Sequence, residues 1–184
     1  MRNAIRESPA KSAAPLSADE VAVYRAVLHQ WNSDGRTSLN VSDRTFPLDV
    51  ASPANDISNC ECLKGMELES LVRASHSFHP LTRDVFPETD IRLVNPSKQF
   101  TAIQNNDPQI GIGRGKSVET AVDDAFARGL FSMSEIAFDR DRHRALVRYS
   151  FACGSLCGNG GTWVLEKVDG AWRRTGRVCA GWIS

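Results

Sequence analysis

An α+β fold is predicted by three observations: helix signals with their own caps in the first two thirds of the chain, a switch to period-two alternation beyond Phe131, and a two-residue hairpin turn at Asp169-Gly170. Together they place an antiparallel meander from about Ser134 to Ser184 against helices near residues 17 to 31, 96 to 105 and 118 to 128.

Residues 1 to 15 are polar and aperiodic, so they read as a disordered tail, and residues 16 to 184 read as a single domain. Ser17 and Glu20 form a capping box, Leu16 and Val21 a hydrophobic staple, and Val21, Tyr24, Val27, Leu28 and Trp31 follow at helical spacing. Leu39 and Val41 alternate with polar neighbours as a strand over residues 37 to 41, closed by Phe46-Pro47. The stretch from Ser52 to Pro87 is the least patterned, with a short helix carrying Leu63, Met66, Leu71 and Val72. Ile91 to Val94 is a short strand. Asn95 then caps a helix with Pro96 in its first turn and Phe100 and Ile103 turned inward. After GIGRGKS, Ser117 caps a helix with Val118, Ala121, Val122, Ala125 and Phe126 on one face. Ile136 and Phe138 begin the alternation, and Ala145, Val147, Tyr149, Phe151, Trp163 and Leu165 form its inward face. A nuclear-transport-factor-like cone-shaped sheet with a concave-side pocket is the alternative architecture.

Length and composition are those of one globular domain: 184 residues, 41% hydrophobic and 24% charged. Twenty-two basic residues balance 22 acidic ones, so no global field draws the chain to nucleic acid. The segment from Ser134 to Ser184 holds eight Lys or Arg against five Asp or Glu, a pattern read as a solvated sheet face. No apolar run is long enough for a transmembrane segment. The N-terminus lacks the apolar stretch of a signal peptide, which fits a cytoplasmic protein if that terminus is complete. Five cysteines and a polar Ala/Ser/Pro leader fit an extracytoplasmic one.

Several constellations invite chemistry. GIGRGKSVET has Ile110 where a nucleotide-binding P-loop needs glycine. A weaker expectation is an anion site for phosphate, sulfate or carboxylate, made by Gly113, Arg114, Gly115, Lys116 and Ser117 through free backbone N–H groups and the following helix end. Cys60, Cys62, His76 and His79 have an order reminiscent of a zinc site, but both pairs are tighter than in a zinc finger, so the primary expectation is no metal. CGSLC compares with the nucleophile segment of papain-like proteases, yet no histidine follows His143 to act as the base. No catalytic set and no cofactor site stands out.

The segment from Ser134 to Ser184 resembles the end of a family of uncharacterised bacterial proteins, many of them exported. The shared elements are a strand, a CGxLCGxGG loop, a strand ending in Glu-Lys, a turn before Gly-x-Trp and a terminal Trp-Ile-Ser. Here they fall on Cys153, Gly154, Leu156, Cys157, Gly158, Gly160, Gly161, Glu166, Lys167, Trp172, Trp182, Ile183 and Ser184. Similarity is weaker over residues 16 to 30 and 111 to 135. The resemblance implies an extracytoplasmic location and no particular activity.

Register arithmetic from the Asp169-Gly170 turn pairs Val168 with Ala171, Thr162 with Arg177, and Gly160 near Cys179, which gathers three thiols at one corner of the sheet. The expected bridges are Cys153 to Cys157, and Cys179 to Cys62 or to Cys60; the alternative is five reduced thiols in a cytosolic protein. Two functions follow. One is a non-catalytic, exported binding or interaction domain for a small anion or a protein partner. The other is a hydrolase-like enzyme with His76 or His79 in a cleft, to be favoured if an imidazole lines a pocket within hydrogen-bond reach of a carboxylate or thiol.

Overall fold

The computed structural model describes residues 14–33, 38–49, 61–87, 90–155 and 157–184. The tail expected over residues 1 to 15 lies outside them except for Ala14 and Pro15, and so does Cys60.

All but one of the described α-helices begin where a side chain satisfies a first-turn N–H group. Helix α1 (Ala18–Trp31) has the full capping box: the Glu20 N–H donates to Ser17 Oγ at 3.3 Å, and the Ser17 N–H donates to Glu20 Oε2 at 2.7 Å. Helix α2 (Leu68–His76) has no side-chain cap and is docked by Ser70, whose Oγ accepts the Phe138 N–H at 2.8 Å. Asn95 caps α3 (Pro96–Asn105), Asp107 caps α4 (Pro108–Gly113) and Ser117 caps α5 (Val118–Arg128). The predicted inward faces are narrower in the fold. Phe100 is 49% exposed, Val72 52%, Val118 62% and Val122 40%, while Ala74, Ile103, Ala121 and Ala125 are buried. Small alanines at the contact turn of α2 and α5 leave the flanking valines at the rim.

The strands are β1 (Leu39–Ser42), β2 (Ile91–Val94), β3 (Leu130–Met133), β4 (Ala137–Phe138), β5 (Arg144–Gly154), β6 (Cys157–Val168) and β7 (Ala171–Ile183). They form one sheet in the order β2-β1-β3-β5-β6-β7, with β4 paired to β5 off that path. The meander β5-β6-β7 is antiparallel, as the alternation predicts. A parallel wing, β2-β1-β3, extends it and departs from a wholly antiparallel sheet. Parallel neighbours need long crossovers, and the segments carrying α2 and α3–α5 supply them. The sheet is therefore mixed and mostly antiparallel, and the fold is α+β.

At the β6–β7 hairpin, Asp169 (φ 51°) and Gly170 (φ 77°) take the left-handed conformation that a tight two-residue turn requires, and Val168 faces Ala171. Beyond Leu165–Arg174 the register shifts, so Thr162 faces Ala180 rather than Arg177 and Gly160 faces Trp182 rather than Cys179. Two irregularities cause this: a bulge around Thr175, whose hydroxyl donates to the Val164 carbonyl at 3.0 Å and accepts the Arg177 N–H at 3.3 Å, and a second shift between the Trp163–Val178 and Thr162–Ala180 pairs, where Cys179 is the extra residue.

Two cores result. The main one joins Val23, Tyr24, Val27 and Leu28 of α1 to Phe131, Val147, Phe151, Trp163, Leu165 and Trp172, and it includes the predicted inward face of the meander. The other unites Leu48, Cys62, Ala74, Ala137, Leu146 and Val164. Leu146 and Val164 alternate with main-core neighbours along β5 and β6, which places this second core on the opposite face of the sheet.

Disulfides join Cys62 to Cys179 (Cα–Cα 5.9 Å) and Cys153 to Cys157 (Cα–Cα 5.0 Å). They do not share a corner: Cys153 and Cys157 pack with the main core, whereas Cys62 and Cys179 pack with the second. The bulge carries Cys179 away from the 153–157 loop.

Asp19, in the first turn of α1, ties that helix to the β6–β7 hairpin. Its carboxylate accepts from Lys167 Nζ at 2.7 Å, Trp172 Nε1 at 3.3 Å and Arg142 Nε at 3.3 Å. The Lys167 hydrogen bond is the largest influence and lowers the Asp19 pKa; burial opposes it, and Trp172 and Arg142 add to the lowering. A carboxyl depressed in the fold stabilises it above the unfolded-state value near 3.8, and the contribution is lost as pH falls through the folded value. Asp19→Asn is expected to cost about 1–2 kcal/mol at pH 7 by urea denaturation. The gap to wild type should close below about pH 4. A gap independent of pH would refute the charge-based account.

Candidate functional site

An open groove of about 710 Å³ lies where the end of α1 meets β5, β6 and β7. Its lining includes Gln30, Trp31, Tyr149, Asn159, Trp163 and Arg174, with the chain end at Trp182 and Ile183. Trp31 is set by the aromatic core behind it, its ring centroid 4.8 Å from both Phe131 and Phe151, and its Nε1 donates to Asn159 Oδ1 at 3.4 Å. The Tyr149 and Trp163 centroids are 4.6 Å apart at 53°. The Arg174 guanidinium lies 4.2 Å from the Trp163 centroid, a cation–π contact that fixes its position. Among the described residues no carboxylate forms an ion pair with Arg174. Burial raises the Tyr149 pKa, with the Arg174 charge opposing, so at neutral pH the phenol is uncharged.

The glycines of the CGNGG segment make room for the chain end. A β-carbon on Gly158 would sit 2.8 Å from the Phe151 carbonyl oxygen and 3.1 Å from the Trp182 ring, and one on Gly160 would collide with the indole. Gly160 faces Trp182 across the β6–β7 ladder. These glycines are required by close approach, of the Phe151 carbonyl and the Trp182 ring at Gly158 and of the Trp182 indole at Gly160, not by a turn.

A second constellation surrounds Glu135, which is 4% exposed between β3 and β4. His79 Nδ1 lies 2.9 and 2.8 Å from its two carboxylate oxygens. The Thr45 hydroxyl donates to Oε1 and the Ser77 hydroxyl to Oε2, the latter at 3.3 Å. The His79 main-chain N–H donates to Thr45 Oγ1 at 2.7 Å, and the Glu135 N–H to the Phe46 carbonyl at 2.7 Å. A carboxylate only accepts, so the proton between the two side chains sits on His79 Nδ1. Nearby, Tyr24 donates to the Ser134 carbonyl at 3.1 Å; burial first, then the Glu135 and Glu20 charges, hold its pKa well above the usual value. His79 also lines a cavity of about 330 Å³ with Leu16, Val21, Pro80, Thr82, Asp84 and Val85. Among the described residues no hydroxyl or thiol is hydrogen-bonded to Nε2.

The sequence-predicted residues fare differently. Gly113 is the last residue of α4, and three N–H groups of the expected anion site, those of Arg114, Gly115 and Lys116, are taken. Arg114 donates to the Ile110 and Gly111 carbonyls, Gly115 to Ile112 and Lys116 to Gly111, at 2.9–3.2 Å. Lys116 Nζ pairs with Asp124 Oδ2 at 2.6 Å, and the Ser117 hydroxyl caps α5. The segment closes one helix and opens the next. Of the four residues of the zinc alternative, Cys60 lies outside the described residues, Cys62 is in a disulfide, His79 is held by Glu135, and exposed His76 bonds the Val72 carbonyl at 2.9 Å. Among the described residues no cluster of three or more His, Cys, Asp or Glu could hold a metal ion.

No family model, curated protein or solved structure matches the chain. Sequence reasoning missed Glu135 and the groove. An acidic residue inside the apolar run from Phe131 to Phe138 was the available signal for the first. The groove has no comparable local signal, since its residues come from four elements.

Proposed function

We propose that this chain is a non-catalytic, extracytoplasmic binding module whose ligand lies in the groove beside Trp31, Tyr149 and Arg174. The observation that carries this reading is an aromatic-lined, open groove with a positioned guanidinium that has no ion-pair partner among the described residues. Two disulfides support residence in an oxidising compartment, and no described helix is long and apolar enough to cross a membrane. Amide NMR titration with a panel of neutral oligosaccharides, acidic oligosaccharides and extended peptides is expected to move the Trp31, Asn159 and Gly181 signals with at least one probe. Trp31→Ala should weaken that response at least about tenfold. Groove signals unmoved by the whole panel would reject the reading.

The His79–Glu135 pair favours a second reading, a hydrolase in which His79 Nε2 takes a proton from water attacking an ester in the adjoining cavity. It meets the condition of an imidazole lining a cavity within reach of a carboxylate. The binding reading stands ahead because Glu135 is also bonded by Thr45 and Ser77, the arrangement a buried structural carboxylate needs. Turnover of p-nitrophenyl esters that falls about 10²–10⁴-fold in folded His79→Gln would reverse that order.

A further inference from the structure

We infer that the groove takes an acidic oligosaccharide, with a ligand carboxylate on Arg174. This rests on the binding-module reading and narrows it to one ligand class. Among the described residues the groove lining contains no Asp or Glu, and Arg174 is its one charged residue. Its strand, β7, carries Arg173, Arg174 and Arg177 and no acidic residue. A guanidinium held 4.2 Å from the Trp163 ring centroid has less freedom to lose, so pairing its fork with a carboxylate costs less further entropy.

The rest of the lining suits sugar rings. Saccharides present apolar C–H faces and hydroxyl edges. Half-buried Trp31 and Tyr149 offer aromatic surface, while Gln30 and Asn159 offer amide donors and acceptors. On the β6 side the Trp182 indole lies over Gly160 and adds a further aromatic surface to the lining. An extended peptide is the competing occupant, because β7 is an edge strand to which another strand could add. The ladder shifts register between Leu165 and Thr162, however, and the bulge around Thr175 interrupts the regular edge such pairing needs.

Calorimetric titration of the full chain with oligogalacturonate, its methyl ester, a neutral cello-oligosaccharide of equal length and oligoglutamate tests the assignment. Oligogalacturonate is expected to bind at least about tenfold more tightly than the ester or the neutral sugar. Arg174→Gln should weaken oligogalacturonate about 10- to 100-fold and leave the ester unchanged. Arg174→Lys, which keeps the charge but loses the fork, should fall between them. Trp31→Ala should weaken acid and ester alike. Circular dichroism and urea midpoints establish that each variant is folded. Equal affinity for acidic and neutral sugars, equally tight oligoglutamate, or full affinity in Arg174→Gln would overturn the inference. If no saccharide binds but another probe moves the groove signals, the sugar assignment fails and the binding module stands; silence toward every probe removes both.

Discussion

Replacing Cys62 and Cys179 together by alanine is expected to destabilise the fold by about 2–4 kcal/mol, the larger loss of the two disulfides among the described residues. The bridge spans 117 residues and fastens the 61–63 turn to β7 through the second core. Chain-entropy arithmetic gives a ceiling of roughly 5 kcal/mol for so long a loop, against roughly 2 kcal/mol for the loop closed by Cys153 and Cys157. The two double variants should therefore separate in urea midpoint, with the Cys62/Cys179 variant the less stable. Mass spectrometry after alkylation should show four additional alkylation sites once the protein is reduced. Equal midpoints, or five thiols already reactive without reductant, would contradict the pairing and weaken the case for an oxidising compartment.

Phe151→Ala is expected to cost about 3–5 kcal/mol. The ring is 1% exposed and lies 4.8 Å from Trp31 and 4.6 Å from Phe126, and a β-carbon on Gly129 would run into it. Its removal opens a cavity behind Trp31, so groove binding should weaken with stability. Phe100→Ala is the control. The helical pattern turns Phe100 inward as well, but it is 49% exposed, and its loss should cost less than about 1 kcal/mol. Similar costs for the two would mean that the main core is not where the structure places it.

Much of the framework was legible in the sequence because its causes are local. Ser17 with Glu20, Asn95 with Pro96, and Ser117 each satisfy N–H groups a few residues away, and the caps lie where those residues predict them. Asp169-Gly170 sets its own turn. Alternation marks Ala145, Val147, Tyr149 and Phe151 as one face, since neighbouring side chains on a strand point to opposite sides. The candidate site was much less legible. His79 was visible as a titratable residue, but its partner Glu135 is 56 residues away, and nothing near His79 in sequence distinguishes it from exposed His76.

The sequence by itself determined the starts of α1, α3 and α5, the hairpin, the inward face of the meander and the α+β class, but not α4, where Asp107-Pro108 reads as a helix stop and instead opens a short helix. Tertiary structure alone decided the parallel wing, the bulge that moves Cys179 off its simple register, the glycine bed beneath Trp182 and the groove that gathers Trp31, Tyr149 and Arg174. The physical reason is the range of the forces. Caps and turns are fixed by hydrogen bonds and dihedral preferences within a few residues, whereas parallel pairing, bulges and grooves depend on which distant surfaces can be buried together.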